Sequence, residues 1–469
     1  MGNQILNKVW ETSNKVRGKI DGWDFRRYVF SILFVIYVTK LSNDFGLKGT
    51  DLSESKDIIK DLKNIFIKIE SFDKKLEGIF SCSDFENKKL GNTYQARCDT
   101  VKALFLGLNE IDFEGSDGDV FGNIYEFLMS LYSQNAGKSG GEFFTASEVS
   151  KLISLIATNG KKTIKNAYDP SCGSGSLLLK VAKQIGNENI SDGIYGQDIN
   201  LESSNLCKMN MIISGIDTKK FHIACDDTLI KPKHLFKNYF DVITSNPPYS
   251  VKWVGDDDVT LINDPRFAPA GVLAPKSKAD FAFIMHCLYV LSDCGVAAIV
   301  CFPGIFYRAG AEQKIRQYLV DNNFVDSVIL LPENIFFGTS ISTCILVLKK
   351  NRTRKSIFFV DASKQFIKDS KKNKLSDENI NNILLIYNDM KDIKNVARNV
   401  DAKEIKNNNY SLAVSNYVKN ESTKPKINIF ELNQKIKNIV HKENSLRENI
   451  DSIVQDLSTI FGDDGSVKD

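Results

Sequence analysis

The sequence predicts an α/β protein: a doubly wound, Rossmann-like sheet of parallel strands, preceded by an α-helical domain and followed by a helical tail. Three observations predict it. From about residue 140 to 350, short β-rich runs alternate with helical stretches, the sequence form of strands joined by crossover helices. Residues 4 to about 130 carry apolar side chains at helix period instead, as in Ile58, Leu62, Ile65, Phe66 and Ile69. Near the end, Leu432, Ile436, Ile439, Leu446, Ile450, Ile453 and Leu457 recur on a 4-3 spacing, with Glu443 at the one seam position that is not apolar. A chain of 469 residues holds two or three compact units at roughly 100–200 residues each. We divide it as 1–135 (helical), 136–424 (α/β) and 425–469 (helical tail).

In the first unit the longest apolar run, Val29–Val38, has ten residues. A bilayer-crossing helix needs about 20, so this run reads as a buried helix. Lys15, Arg17, Lys19, Arg26 and Arg27 fit either a nucleic-acid contact or a solvated helix face. The opening MGNQIL lacks the pattern of a secretory signal, and Leu6 stands where a myristoylation motif wants Ser or Thr. Nine cysteines occur singly, which fits a reducing cytoplasm. With four histidines and no paired Cys/His spacing, no metal site is expected. The net charge is +3, small for a protein that grips duplex DNA alone, so a partner sharing the phosphate contacts is expected.

In the second unit the expected strands are Asn166–Tyr168, Gly193–Gln197, Val242–Thr244, Val296–Cys301, Phe324–Leu331 and Ser342–Leu348. Residues 351 to about 425, rich in Lys and Asn, are expected to contain loops on the domain surface. After the first strand comes Asp169-Pro170-Ser171-Cys172-Gly173-Ser174-Gly175-Ser176 and then a helical run, Leu177–Ile185. Glycines at a strand-to-helix turn let the backbone approach a ligand, and the helix beyond offers unpaired N–H groups. A nucleotide-like ligand or a tight structural turn explains the loop. A dinucleotide fingerprint does not, because it needs glycine where Leu178 stands.

In such sheets an acidic residue after the second strand commonly takes ribose hydroxyls. Asp198, 29 residues beyond Asp169 and followed by Ile199, is placed for this. Asp226 and Asp227 would follow a third strand, where Asp227 can accept a hydrogen bond from an adenine amino group. Each aspartate taken singly also suits a helix cap.

The sharpest feature is Asn246-Pro247-Pro248-Tyr249 directly after the strand ending at Thr244-Ser245. An aromatic amine is a poor nucleophile because its lone pair is delocalised into the ring. A catalyst must hold both N–H bonds and turn the lone pair toward an electrophile. The Asn246 side-chain oxygen and the Pro247 carbonyl can be the two acceptors, and the prolines fix that carbonyl. Tyr249 offers a face for stacking a base. A base inside a duplex must flip out to reach such a pocket.

On these residues the chain resembles the N6-adenine DNA methyltransferases, and among them the methylation subunits of type I restriction-modification systems. Asn246-Pro247-Pro248-Tyr249 matches the family's catalytic tetrapeptide, and Asp169–Gly175 is similar to its first motif. Gly140-Gly141-Glu142-Phe143-Phe144-Thr145 resembles its cofactor motif, with Ala146 where proline is usual and Ser147 following. More specific to the subgroup are Asp264-Pro265-Arg266-Phe267, Leu273-Ala274-Pro275-Lys276-Ser277-Lys278-Ala279-Asp280-Phe281-Ala282-Phe283, and Phe336-Phe337-Gly338-Thr339-Ser340-Ile341.

The resemblance implies S-adenosylmethionine as cofactor without a metal, transfer to adenine N6 in DNA, and a prokaryotic cytoplasmic setting. It also implies a complex with a specificity subunit, which reads the site, and a restriction subunit, with two methylation subunits per specificity subunit. Residues 142–147, Asp169, Pro170, Cys172–Ser176, Asp198, Ile199, Asp226 and Asp227 are its implied cofactor contacts, and the tail its contact with the specificity subunit, although the spacing alone leaves packing within the chain equally open. Lys276 and Lys278 are candidate phosphate contacts, although an ordinary exposed loop carries lysines too. Two alternatives stay open: a protein-glutamine methyltransferase, whose motif N-P-P-Y also resembles, and a noncatalytic DNA-binding scaffold subunit.

Overall fold

The computed structural model describes residues 2–15, 22–111, 145–336, 340–369, 372–419 and 429–461, together with Ile124, Phe127 and Leu128. Contacts divide the chain into two units, 1–419 and 420–469. The expected boundaries at 135/136 and 424/425 lie outside the described residues.

The core of the first unit is a nine-stranded mixed sheet. In chain order its strands are β1 (Ile164–Asp169), β2 (Ile190–Asp198), β3 (Phe221–Cys225), β4 (Phe240–Ser245), β5 (Leu291–Cys301), β6 (Val325–Leu330), β7 (Cys344–Leu348), β8 (Ile357–Asp361) and β11 (Ala397–Val400). A separate hairpin pairs β9 (Ile367–Asp369) with β10 (Lys372–Lys374). The spatial order is β11-β8-β6-β7-β5-β4-β1-β2-β3. From β3 to β5 every pairing is parallel, whereas β7 runs antiparallel to β5 and β6, and β11 antiparallel to β8. Strands covered on both faces must be apolar throughout, and β7 (CILVL) is buried along its whole length.

One expectation needs correction and another needs completing. The sheet is mixed, because β7 enters between β5 and β6 in the opposite direction. The 351–425 segment is not loops alone: it supplies β8, β11 and the helices Asp377–Asp389 and Ala402–Asn407. Its Lys and Asn residues lie between short apolar runs such as Ile357–Val360, which are buried. Composition averaged over the segment hid them.

The helical elements before the sheet follow their periodicity. Helix Ile58–Glu70 is capped by Asp57, whose carboxylate accepts from the Lys60 N–H, and buries Ile58, Leu62, Ile65, Phe66 and Ile69. Val29–Val38 lies in the buried helix Gly22–Lys40. No described helix is long and apolar enough to cross a membrane.

This helical region docks on the β3 side of the sheet. Arg26 and Arg27 both pair with Glu202 of helix Leu201–Ile213, at 2.9 and 3.1 Å. Lys75 Nζ donates to the carbonyls of Thr218 (2.7 Å) and Phe221 (3.0 Å). Arg26 and Arg27 are thus engaged within the protein. Of the other basic residues read from the sequence, Arg17 and Lys19 and the side chain of Lys15 lie outside the described residues.

In the second unit, helix Ile429–Phe461 leaves its seam residues Leu432, Ile436, Ile439, Leu446, Ile450, Ile453 and Leu457 exposed.

Candidate active site

The strand order alone places a ligand site. The chain steps from β1 outward to β2 and β3, then returns to the other side of β1 with β4. Loops leaving β1 and β4 therefore diverge and open a crevice at their carboxyl ends, where ligands bind in open α/β sheets. Those two loops are Asp169–Gly175 and Asn246–Tyr249. One cavity there is lined by Thr145, the loop from Asp169 to Ser174, Ser176, Leu177, Asp198, Ile199, Asp227, Thr228, Leu229, Asn246, Pro248, Val251, Lys252, Trp253, Ala279 and Phe283.

The glycine loop owes its path to two left-handed residues. Gly173 has φ +53° and Gly175 φ +81°. A Cβ on Gly175 would stand 2.6 Å from Cys207 Sγ and 2.9 Å from Met211 Cε. Gly175 thus lets helix Leu201–Ile213 approach and does not line the cavity. The Gly173 N–H donates to Asp198 Oδ2 at 2.9 Å, and the Asn200 N–H to Asp198 Oδ1 at 2.8 Å. Two backbone donors thereby hold the carboxylate at the end of β2, and burial pushes its pKa up.

Asp169, at the end of β1, is fully buried. Its Oδ1 accepts from the Ser171 N–H at 3.0 Å, while Oδ2 meets no donor among the described residues. Burial pushes this carboxyl up to about 7. A buried acceptor left without a partner is costly and marks a place suited to a cationic or hydrogen-bond-donating ligand.

After β3, Asp227 Oδ1 accepts from the N–H groups of Leu229 (2.8 Å) and Ile230 (3.3 Å). Asp226 does not line the cavity; its carboxylate pairs with Lys233 at 3.1 Å.

Around Asn246 the hydrogen bonds fix the amide's orientation. Nδ2 donates to Thr145 Oγ1 at 2.9 Å, and Tyr249 OH donates to Oδ1 at 2.6 Å. Pro247 is buried and Tyr249 half-buried, and neither is among the lining residues. Tyr249 thus presents its hydroxyl to Asn246 where the sequence suggested a stacking face. Among the described residues, the aromatic rings lining the cavity are those of Trp253 and Phe283.

The turn after Tyr249 is held from below: Ser250, at φ +52°, donates its N–H to both oxygens of Asp280 at 3.2 and 3.1 Å. Such a φ is costly for a non-glycine residue unless the surroundings fix it. Trp253 is clasped by the 273–280 segment, its N–H to the Lys276 carbonyl (3.0 Å) and its Nε1 to the Pro275 carbonyl (3.2 Å).

Of the other expected site residues, Glu142, Phe143 and Phe144 lie outside the described residues, as do Phe337, Gly338 and Thr339. Ala146 and Ser147 begin helix Ser147–Thr158 and do not line the cavity. Pro170, Cys172, Ser174 and Ser176 do. Lys276 is exposed and ion-paired with Asp257, and Lys278 is partly exposed. The sequence reading missed Val251, Trp253 and Phe283. Phe283 ends a subgroup-specific stretch, and Val251 and Trp253 follow closely on Tyr249, but no motif assigns an apolar wall residue a role. No cluster able to hold a metal ion occurs among the described residues.

Comparison with known proteins gives a consistent result. A family model described as N-6 DNA Methylase matches residues 116–426. The chain is 42% identical to the type I restriction enzyme MpnII methylase subunit of Mycoplasma pneumoniae, over 98% of this chain and 97% of that one. The type I restriction-modification methyltransferase subunit of Streptococcus thermophilus superposes with a TM-score of 0.78 at 32% identity, covering 89% of this chain and 100% of that one. A protein solved in a study of type I restriction-modification complex assembly shares the fold, with a TM-score of 0.63 at 16% identity over 97% of this chain and 98% of that one.

Proposed function

Because this chain belongs to the N-6 DNA methylase family and is a methylase subunit of a type I restriction-modification system, we propose that its cavity carries out methyl transfer to adenine N6 with the residues named above. The observation that carries this reading is that Asn246 lines the same cavity as Gly173, Asp198 and Asp227, with its amide fixed from both sides.

The fold and family are those of S-adenosylmethionine-dependent enzymes, and the residues fit that cofactor. Asp198 is the ribose acceptor and Asp227 the adenine acceptor. Ile199, 68% exposed, offers an apolar face to the adenine. Asp169 Oδ2, without a donor among the described residues, faces the methionine end, where positive charge concentrates. When bound, the cofactor supplies an electrophilic methyl group on a sulfonium sulfur.

The rest belongs to this chain. Asn246 Oδ1 accepts one N–H bond of the adenine amine, and the Pro247 carbonyl, whose residue lies behind the cavity lining, takes the other once the base is seated, so that the lone pair turns toward the cofactor side. Tyr249 OH and Thr145 Oγ1 keep the amide from rotating, so its oxygen faces the substrate. Trp253 and Phe283 receive the flipped base and exclude water. The two acceptors stabilise the positive charge that develops on N6 as it takes the methyl group, and N6 then releases one of its two protons to solvent, leaving the neutral methylated amine.

The tail helix, with its exposed seam, is the surface for the specificity subunit, which selects the DNA site. Two copies of this chain per specificity subunit, and association with a restriction subunit, complete the assembly. The helical domain 1–135, the methyltransferase domain 136–424 and the tail 425–469 are its working parts. Lys276 and Lys278 lie beside the clasped Trp253 turn and are offered as phosphate contacts. The test is to reconstitute the chain with its specificity subunit and map methylated bases: N6-methyladenine at a defined site is expected, and its absence with cofactor present overturns the proposal.

A further inference from the structure

Asp264-Pro265-Arg266-Phe267 lies in the long connection between β4 and helix Asp280–Val290, and the reaction described above does not use it. Arg266 is 2% exposed, yet each of its five N–H groups has an acceptor. Nε donates to Asp264 Oδ1 (2.9 Å). Nη1 donates to the Thr228 carbonyl (3.0 Å) and His286 Nδ1 (3.3 Å). Nη2 donates to the Leu229 carbonyl (2.7 Å) and Asp264 Oδ2 (2.7 Å).

A guanidinium only donates, so His286 Nδ1 must be the acceptor. Its proton then sits on Nε2, which faces Tyr168 OH at 3.0 Å. Burial, and then the charge of Arg266, hold this histidine neutral.

We infer that Arg266 is a positioning residue for the cofactor: from within the β4–helix connection it fixes the Asp227–Leu229 turn, and so joins the adenine-side wall of the cavity to the segment that carries the target-base wall. The inference rests on the methyltransferase reading of the cavity.

The turn needs such a residue. Asp227 Oδ1 folds the chain back onto the N–H groups of Leu229 and Ile230, which sends the carbonyls of Thr228 and Leu229 to the side where Arg266 lies. Without the guanidinium these two carbonyls lose their donors, and peptides so placed reorient to find others. Asp227, Thr228 and Leu229 all line the cavity, so reorientation displaces the adenine acceptor.

Thr228 Oγ1 also donates to the Pro170 carbonyl at 2.6 Å, tying the same turn to the glycine loop. The connection that supplies Arg266 also supplies Val251, Lys252 and Trp253 to the opposite wall. Lysine cannot replace the fork, since its ammonium is a single point with three donors.

The test uses the chain assembled with its specificity subunit, as parent, Arg266→Lys and Asp264→Asn. S-adenosylhomocysteine affinity is measured by calorimetry, and kcat and KM for S-adenosylmethionine separately. For Arg266→Lys, Kd and KM should rise about tenfold or more while kcat at saturation stays within about threefold. Asp264→Asn, which keeps the guanidinium, should move the same constants less.

A role confined to stability would lower the melting temperature and leave Kd of the folded protein unaltered, which overturns the inference. So does a fall in kcat at unchanged KM. Should Arg266→Lys not fold, a parent-like KM in Asp264→Asn overturns it. A parent complex that binds no S-adenosylhomocysteine removes the methyltransferase reading itself, an outcome distinct from variants that match a binding-competent parent.

Discussion

Two buried aspartates in one sheet are treated in opposite ways. Asp169, at the carboxyl end of β1, keeps one oxygen without a donor among the described residues. Asp326, near the start of β6, receives Lys349 (3.1 Å), Arg352 (3.2 Å), Arg354 (3.3 Å) and the Tyr387 hydroxyl (3.3 Å). The first lies where parallel strands diverge around a crevice, the second where β6, β7 and β8 are fully paired. A carboxylate surrounded by cations is complete in itself and holds the fold. One held short of partners costs stability, and makes sense where a ligand is to complete it.

Substitutions on either side of the sheet separate these two roles. The largest effect is expected at Asn246, the acceptor on the substrate side of the crevice. Asn246→Ala should lower methyl transfer by roughly 100- to 1000-fold or more while S-adenosylhomocysteine still binds. Methylation at the parent rate would remove Asn246 from the mechanism.

Next is Asp326→Ala. Leaving buried cations uncompensated should cost about 3–5 kcal/mol, seen as a large drop in denaturant midpoint, with cofactor affinity of the folded protein retained. Lost affinity at full stability would mean that the two halves of the sheet do not divide labour as described.

Asp169→Asn should act in the reverse sense on stability. The folded-state pKa of about 7 lies above the ordinary 3.8, so between these values the folded protein binds more protons than the unfolded chain. The carboxyl's contribution is therefore present below about pH 4 and lost as pH rises toward 7, at about 1.4 kcal/mol per unit. Melting curves from pH 4 to 7 should show the Asn variant gaining on the parent as pH rises. Parallel curves would mean that Asp169 is not strained by burial. Cofactor binding should fall in the same variant, since the ligand loses its anionic partner.

Tyr249→Phe removes one hydrogen bond from Asn246 Oδ1. An approximately tenfold fall in kcat at constant Kd is expected, and an unaltered kcat would return Tyr249 to the role of a stacking or core residue. Smallest is Lys276→Ala: its ion pair with Asp257 is exposed, so the melting temperature should not move. If Lys276 meets phosphate in the assembled complex, the salt dependence of DNA binding should fall by about one counterion.

Much of the architecture was legible in the residues. The strand-end positions of Asp169, Asp198 and Asn246 follow from apolar runs that stop at loops with distinct chemistry. The buried face of helix Ile58–Glu70 follows from spacing, and the burial of helix Gly22–Lys40 from its apolar run. The seam of helix Ile429–Phe461 was equally plain, whereas its exposure came only from the structure.

Less legible were β3, β8 and β11. Each is four or five residues long, too short for periodicity to separate from a loop. The direction of β7 was not legible either, since an apolar run carries no sign of which way it will pair.

Local pieces follow from the residues alone: the long helices, the strands that lead into the site loops, the glycine turn, and the chemistry of Asn246, Asp198 and Asp227. Their interdependence was decided only by the tertiary structure. Thr145 on Asn246, Asp280 under Ser250, and Arg266 across to Thr228 and Leu229 are contacts between positions 30 to 101 residues apart. The reason is physical. Local geometry is set by neighbours along the chain, but a buried polar atom must take whatever partner the packed fold brings to it, and no spacing in the sequence encodes that meeting.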